Sequence, residues 1–255
     1  VGSEMCIRDR AYIGIWAISP KHLFADNLKD ELWLVAGGVF GGSLYFFTEN
    51  TALGITQASN VAFIICTAPL LTTILSLLFY KSEKATKGLI YGSLLALIGV
   101  GLVVFNGSVV LKLSPVGDLL TLLAALSWAF YSLVIKRMTG RYPTVFITRK
   151  IFFYGVLTIL PAFLLHPLQP DFDVLLQPLV LSNLLFLAVL ASLICYILWN
   201  VVLKQLGTMR ASNYIYLNPL VTMVASVLIL HEQITWITLM GAACIILGVY
   251  LAEKK

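Results

Sequence analysis

Charge is what this chain has least of. Only 11% of its 255 residues are charged, 60% are hydrophobic, and the mean hydropathy is +0.94. A soluble domain carries about 25% charged residues to cover its surface, so a water-soluble globule is excluded. A Walker A loop, a Gly-rich nucleotide fingerprint and any His/Cys cluster at metal spacing are also missing. No nucleotide hydrolysis, metal or other cofactor is therefore expected. His22, His166 and His231 stand singly in loops. The apolar runs hold no aspartate pair, which an acid–base enzyme buried in a membrane would need. Of the four cysteines, Cys66, Cys195 and Cys244 lie inside apolar runs. They read as small packing residues, since a disulfide framework needs cysteines in oxidised loops. The net charge of +5 comes from basic residues scattered singly, so no nucleic-acid partner is expected.

What the chain has instead is length without charge. Apolar runs cover residues 32–53, 58–80, 88–105, 119–135, 145–165, 179–203, 211–230 and 234–252. Each is close to the roughly 17–25 residues a helix needs to cross the hydrocarbon core. The every-second-residue alternation of a membrane barrel is absent. The fold class expected is all-α, a polytopic membrane protein with the lipid bilayer as its surroundings. Residues 1–10, VGSEMCIRDR, form neither a span nor a signal-peptide core and read as a non-native leader. The next stretch, AYIGIWAISP, is too short to span and reads as the tail of a truncated helix.

The chain also repeats itself. At an offset of 150, Asn50 meets Asn200, Leu53 meets Leu203 and Pro69 meets Pro219. With one residue deleted, Glu83 meets Glu232, Gly92 meets Gly241 and Gly99 meets Gly248. Numbering the eight complete runs as spans 3 to 10 leaves room for a partial second and a missing first. Span 3 then pairs with 8, 4 with 9, and 5 with 10. A separation of five spans forces opposite orientations, and loop charges agree. The 4–5 loop holds Lys81, Lys84 and Lys87, whereas its mate has no Lys or Arg. The 3–4 loop is uncharged, whereas its mate carries Lys204 and Arg210. Summed over loops, fourteen basic residues lie on one side and only Lys112 on the other. The basic side, with the C-terminus, is expected to face the cytoplasm.

Three stretches in this order, ALSWAFYSLVIKRM, ILWNVVLKQLG and NPL…HEQ…GAACIILGV, resemble the EamA-like members of the drug/metabolite transporter superfamily. The resemblance covers about residues 11 to 252. It implies two inverted five-helix repeats, ten helices in all, of which this chain has eight complete spans and part of one. The domains expected are a truncated first repeat at 11–107 and a second at 116–252. It further implies an inner-membrane secondary transporter, working by alternating access and exporting small metabolites or amino acids. Proton coupling fits this frame, and a homodimer is compatible with it. The rival within transport is a nucleotide-sugar or sugar-phosphate carrier, which should place basic residues in the cavity. The more distant rival is a membrane-embedded enzyme.

Candidate residues follow. Pro69 and Pro219 each remove a helix hydrogen bond and crowd the carbonyl four residues earlier; they read as packing kinks or as bends that widen a cavity. Glu83 and Glu232 open the following helices, where the helix dipole favours a carboxylate, so their role is structural. Glu49 lies inside span 3 beside Asn50 and reads either as a cavity or gating acid, suited to proton coupling, or as an interfacial one. Asn50 and its mate Asn200 are positioned to hydrogen-bond between helices. Small residues in GGVFGG, and Gly92/Gly99 with Gly241/Gly248, read as helix-packing faces. The resemblance places spans 3, 4, 6, 8 and 9 around a substrate cavity, which adds Trp128, Tyr131, Tyr196 and Asn218 to Glu49, Asn50 and Asn200.

Overall fold

The computed structural model describes residues 24–80, 85–105, 114–165, 172–230 and 235–254. Glu83, Glu232 and the leader at 1–10 lie outside the described residues. Each apolar run is largely helical over its described residues, and several helices extend past their runs into polar residues. Span 3 is α1 (Leu28–Gly38), a π-turn (Val39–Ser43) and α2 (Leu44–Ile55). Span 4 is α3 (Ala58–Ile65) and α4 (Ala68–Phe79), and span 5 is α5 (Lys87–Phe105). Spans 6 and 7 are α6 (Pro115–Thr139) and α7 (Thr144–Leu165). After the short α8 (Phe172–Leu175), span 8 is α9 (Pro178–Leu185), a π-helical stretch (Phe186–Ile194) and α10 (Cys195–Leu206). Span 9 is α11 (Thr208–Asn213), a 3-10 turn (Tyr214–Leu217) and α12 (Asn218–Leu230); span 10 is α13 (Trp236–Glu253). Six helices among the described residues are long and apolar enough to cross a membrane, and no described residue lies in a strand. The protein is a polytopic helical membrane protein.

Two compact units form. One contains Val1–Phe47 and Phe130–Gln205, the other Thr48–Ala129 and Leu206–Lys255. Each unit therefore collects repeat mates. Spans 3 and 8 contribute to the first, whereas 4 with 9 and 5 with 10 build the second.

Helix defects recur at repeat-equivalent positions. The π-helical stretch 186–194 of span 8, moved back by 150, covers 36–44 and so contains the π-turn 39–43 of span 3. The 3-10 turn 214–217 of span 9, moved back likewise, covers 64–67, where span 4 breaks between Ile65 and Ala68. The prolines differ from the expected kinks in degree. Pro69 lies in the first turn of α4 and Pro219 in the first turn of α12, where a missing N–H is harmless. Each proline starts a second half-helix instead of bending one continuous helix.

In the second unit, α5 and α13 pack antiparallel through glycines. Gly92 faces Gly248, and Gly99 faces Gly241. A Cβ on Gly99 would lie 2.6 Å from the Gly241 carbonyl oxygen, and one on Gly241 would lie 2.7 Å from that of Gly99. Because Gly92 and Gly241 are mates, as are Gly99 and Gly248, the contact is self-complementary. Ala96 and Ile245, between the glycine pairs, are fully buried. Between spans 8 and 9 lies Gly207, whose φ of +80° suits a residue without Cβ.

Candidate functional site

A polar network lies at the centre of the first unit. The Tyr131 hydroxyl donates to Asn200 Oδ1 at 2.8 Å. Asn200 Nδ2 donates to Thr148 Oγ1 at 2.9 Å, and that hydroxyl donates to the Thr144 carbonyl at 2.9 Å. Tyr196 donates to the Gly41 carbonyl, inside the π-turn of span 3, at 2.6 Å. The two tyrosine rings are 5.8 Å apart, and Phe152 closes on Tyr196 at 5.2 Å. Tyr131 and Asn200 have no exposed surface. Four spans (3, 6, 7 and 8) thus meet through donors and acceptors that satisfy one another, as a low-dielectric interior demands.

Sequence and packing explain the arrangement. Gly41 has no side chain because the Tyr131 ring occupies the space its Cβ would fill. Gly38 does the same for span 7, since a Cβ there would lie 2.5 Å from Tyr154 Cβ and 2.8 Å from the Gly155 nitrogen. The small-residue stripe lets span 3 lie against spans 6 and 7 closely enough for its π-turn carbonyl to reach a neighbour. Ser43 and Thr158 add a 2.8 Å hydroxyl contact between spans 3 and 7.

Three of the seven expected cavity residues, Tyr131, Tyr196 and Asn200, come together here. The other four belong to the second unit. Glu49 and Asn50 are half-buried in α2, Trp128 is half-buried in α6, and Asn218 is exposed at the start of α12. Thr148 was not foreseen. Its signal was a threonine one turn before Phe152 at the start of an apolar helix, which also fits an ordinary back-bonded residue.

A second cluster clamps the start of span 3. Asn27 caps α1 by accepting from the Asp30 amide at 2.8 Å. Arg141 donates to both Asp30 oxygens at 2.9 and 3.0 Å, and Tyr142 donates to Oδ2 at 3.1 Å. One residue on, Glu31 accepts from Lys150 Nζ at 2.5 Å, from the Tyr154 hydroxyl, and from the Ala25 amide at 2.7 Å. The Lys150 ammonium also sits over the Phe24 ring at 4.5 Å. Burial pushes both carboxyls up in pKa. The hydrogen bonds from Arg141, Tyr142 and Asn27 outweigh this for Asp30, and those from Lys150 and Tyr154 outweigh it for Glu31. Both acids are held below their usual range and stay charged at neutral pH. Tyr142 is shifted the other way, raised by burial.

Asn200→Leu is expected to be more disruptive than Tyr131→Phe. The former strands the Tyr131 hydroxyl and leaves Thr148 without its Asn200 donor, a loss of about 1–3 kcal/mol for each buried group left unmatched. The latter leaves one buried group, Asn200 Oδ1, without its Tyr131 donor, about 1–3 kcal/mol, while Asn200 Nδ2 keeps its Thr148 partner. Thermal melting of the purified protein reads the order directly.

The EamA-like transporter family model matches residues 11–105 and 115–253. The chain is 26% identical over 242 residues to an uncharacterized transporter of Archaeoglobus fulgidus, covering 94% of this chain and 82% of that protein. It is 30% identical over 228 residues to the uncharacterized transporter YyaM of Bacillus subtilis, covering 85% and 70%. A probable amino-acid metabolite efflux pump of Salmonella typhimurium is 27% identical over 245 residues, covering 91% and 80%. One crystal structure superposes with a TM-score of 0.78 at 16% identity, covering 98% of this chain and 85% of that one. At that identity, the likeness shows the fold alone.

Proposed function

Because this chain belongs to the EamA-like transporter family, we propose that it exports small organic metabolites or amino acids as a secondary transporter working by alternating access. The observation that carries the substrate class is a relative, matched over 80% of its own length, named a probable amino-acid metabolite efflux pump. The buried network is compatible with it, because Tyr131, Tyr196, Asn200 and Thr148 are uncharged groups beside aromatic faces that would exchange their mutual hydrogen bonds for those of a solute as the carrier alternates. Such groups suit a neutral or zwitterionic solute better than a phosphate, which calls for arginine or lysine. The buried cations among the described residues are Arg149 and Lys150. Lys150 is committed to Glu31. Arg149, over the Phe146 ring at 5.3 Å, is the one group among these that a phosphate-bearing solute would call on, and the nucleotide-sugar alternative rests on it.

Alternating access draws on the paired defects. Discontinuous helices in repeat-related positions are the places where transporters put binding groups and where inverted halves exchange roles. The basic-side arithmetic orients the carrier with Lys84, Arg141 and the C-terminus in the cytoplasm. Inside-out vesicles from cells expressing the protein test the direction. Radiolabelled amino acid or metabolite should accumulate in them when a proton gradient is imposed. Absence of uptake for every solute tried, against empty vesicles, would oppose export.

Glu49 is the candidate coupling acid. Glu49→Gln keeps shape and hydrogen bonding while fixing the neutral state. It should remove the pH dependence of transport while leaving the melting temperature nearly unchanged. An unaltered pH profile and gradient response would reduce Glu49 to a packing or interfacial residue.

A further inference from the structure

The two repeat-related breaks in the second unit differ in how their polar groups are satisfied. At the span 4 break, Thr67 closes its own turn, since its backbone N–H and its hydroxyl both donate to the Ile64 carbonyl, at 2.9 and 2.7 Å. The mate of Thr67 in span 9 is Leu217, which has no hydroxyl. The mates of Phe63 and Cys66 are Asn213 and Tyr216. Polarity has thus moved from the turn itself to the side chains packed beside it.

Those side chains are buried and incompletely paired. Ser93, in α5, donates to Asn213 Oδ1 at 2.9 Å, which leaves Asn213 Nδ2 with two hydrogens and no acceptor. Tyr216 packs among Cys66, Ala96, Val100 and Ile245. Its phenol lies beside the same Ser93 but forms no well-aligned hydrogen bond. Asn213 and Tyr216 have no exposed surface and Ser93 is 2% exposed. An amide and a phenol in this setting carry the full desolvation penalty unless a third group joins them.

We propose that the span 9 break is a hydration site, in which Ser93, Asn213 and Tyr216 hold one buried water molecule. The chemistry selects water over an ion or a solute carboxylate. No charged side chain belongs to the cluster, so an ion would be buried uncompensated. A water accepts from Asn213 Nδ2 and from the Tyr216 hydroxyl and donates to Ser93 Oγ, whose own proton is used on Asn213. That makes three hydrogen bonds, the usual number for a buried water. The dry span 4 break and the wet span 9 break would then differ in how readily they re-bend, because a water exchanges partners without unpacking side chains. The site is independent of which solute is carried.

Two measurements decide it. X-ray radiolytic labelling of the protein in nanodiscs converts bound water to hydroxyl radical where it sits, so side chains around a buried water are oxidised despite being inaccessible. Tyr216 should label within a few-fold of the exposed Tyr91 and Tyr250, and much faster than Tyr131, which is equally buried but fully paired. Tyr216→Phe should lower the melting temperature, because it removes a hydroxyl that holds the water. Labelling of Tyr216 as slow as that of Tyr131 overturns the proposal. So does a melting temperature that rises on Tyr216→Phe, the result expected if the phenol were an orphan relieved by its removal.

Discussion

Gly92→Val and Gly248→Val are each expected to abolish most of the folded protein. A Cβ on Gly248 would lie 2.5 Å from the Ala96 amide nitrogen, and one on Gly92 would press against the Gly248 carbonyl and the Ala252 amide. Backbone cannot rotate away as a flexible side chain can, so α5 and α13 must separate along their length. Overpacking of a close interface costs about 1–3 kcal/mol and more when backbone is the obstacle. Even 3 kcal/mol would lower the melting temperature by roughly 6–12 °C in a chain of this size. Gly54→Ala and Gly140→Ala are the controls, since nothing lies within 4 Å of a Cβ at either position. They should be neutral or, for Gly54 inside α2, stabilising by up to about 1 kcal/mol. Melting in detergent and the yield of monodisperse protein distinguish the two pairs.

Lys150→Met should be nearly as damaging for an electrostatic reason. It leaves the Glu31 carboxylate, 13% exposed, without its cation. Breaking a buried pair by removing one partner costs about 3–5 kcal/mol, and the remaining Tyr154 and Ala25 donors place the expected loss near the lower figure. Glu31→Gln in the same chain should recover most of it, because a neutral amide no longer needs the charge. Arg141→Met should also destabilise, since the Asp30 carboxylate it leaves is 2% exposed; water at the 55% exposed Arg141 and the remaining Tyr142 and Asn27 donors moderate the loss. The pH dependence follows the sign of the Glu31 shift. Its folded pKa lies below the usual value, so the stabilisation is complete above about pH 4.5 and is lost as pH falls through the lower folded value. The clamp is therefore constant from pH 5 to 8, and any transport pH dependence in that range has another origin. Melting curves between pH 3 and 8 test the window.

Much of the architecture was legible because lipid imposes one rule on every span. Apolar length marked the helical stretches, six of them long and apolar enough to cross a membrane among the described residues. The recurrence of Asn, Pro and Gly runs alongside helix defects at equivalent positions. The Gly92/Gly99 and Gly241/Gly248 stripes identified a packing face, although not that each faces the other. The breaks were visible only as prolines. Whether a proline bends a helix or begins a new one depends on what satisfies the preceding carbonyls, as Thr67 does for Ile64. The π-turns left no local mark, because the wide turn at Gly41 is tied to Tyr131 and Tyr196, which are distant in sequence. Asp30 and Glu31 look like ordinary first-turn acids, and only the fold brings Arg141 and Lys150 to them. Tyr131, Tyr196 and Asn200 stood out as aromatic or amide groups inside apolar spans, whereas Thr148, also inside one, bonds back to its own helix at Thr144 and carries no such mark.

Solute counterflow tests the central claim most directly, that this protein is a carrier for small organic solutes. Proteoliposomes containing the protein are loaded with one unlabelled amino acid or metabolite and diluted into a trace of the same labelled solute. A carrier that alternates between two faces exchanges outgoing for incoming molecules, so label should rise transiently above its equilibrium level inside and then decay, chemically unchanged. Label that never exceeds simple equilibration across the candidate solutes, or that is recovered as a modified product, would contradict the account.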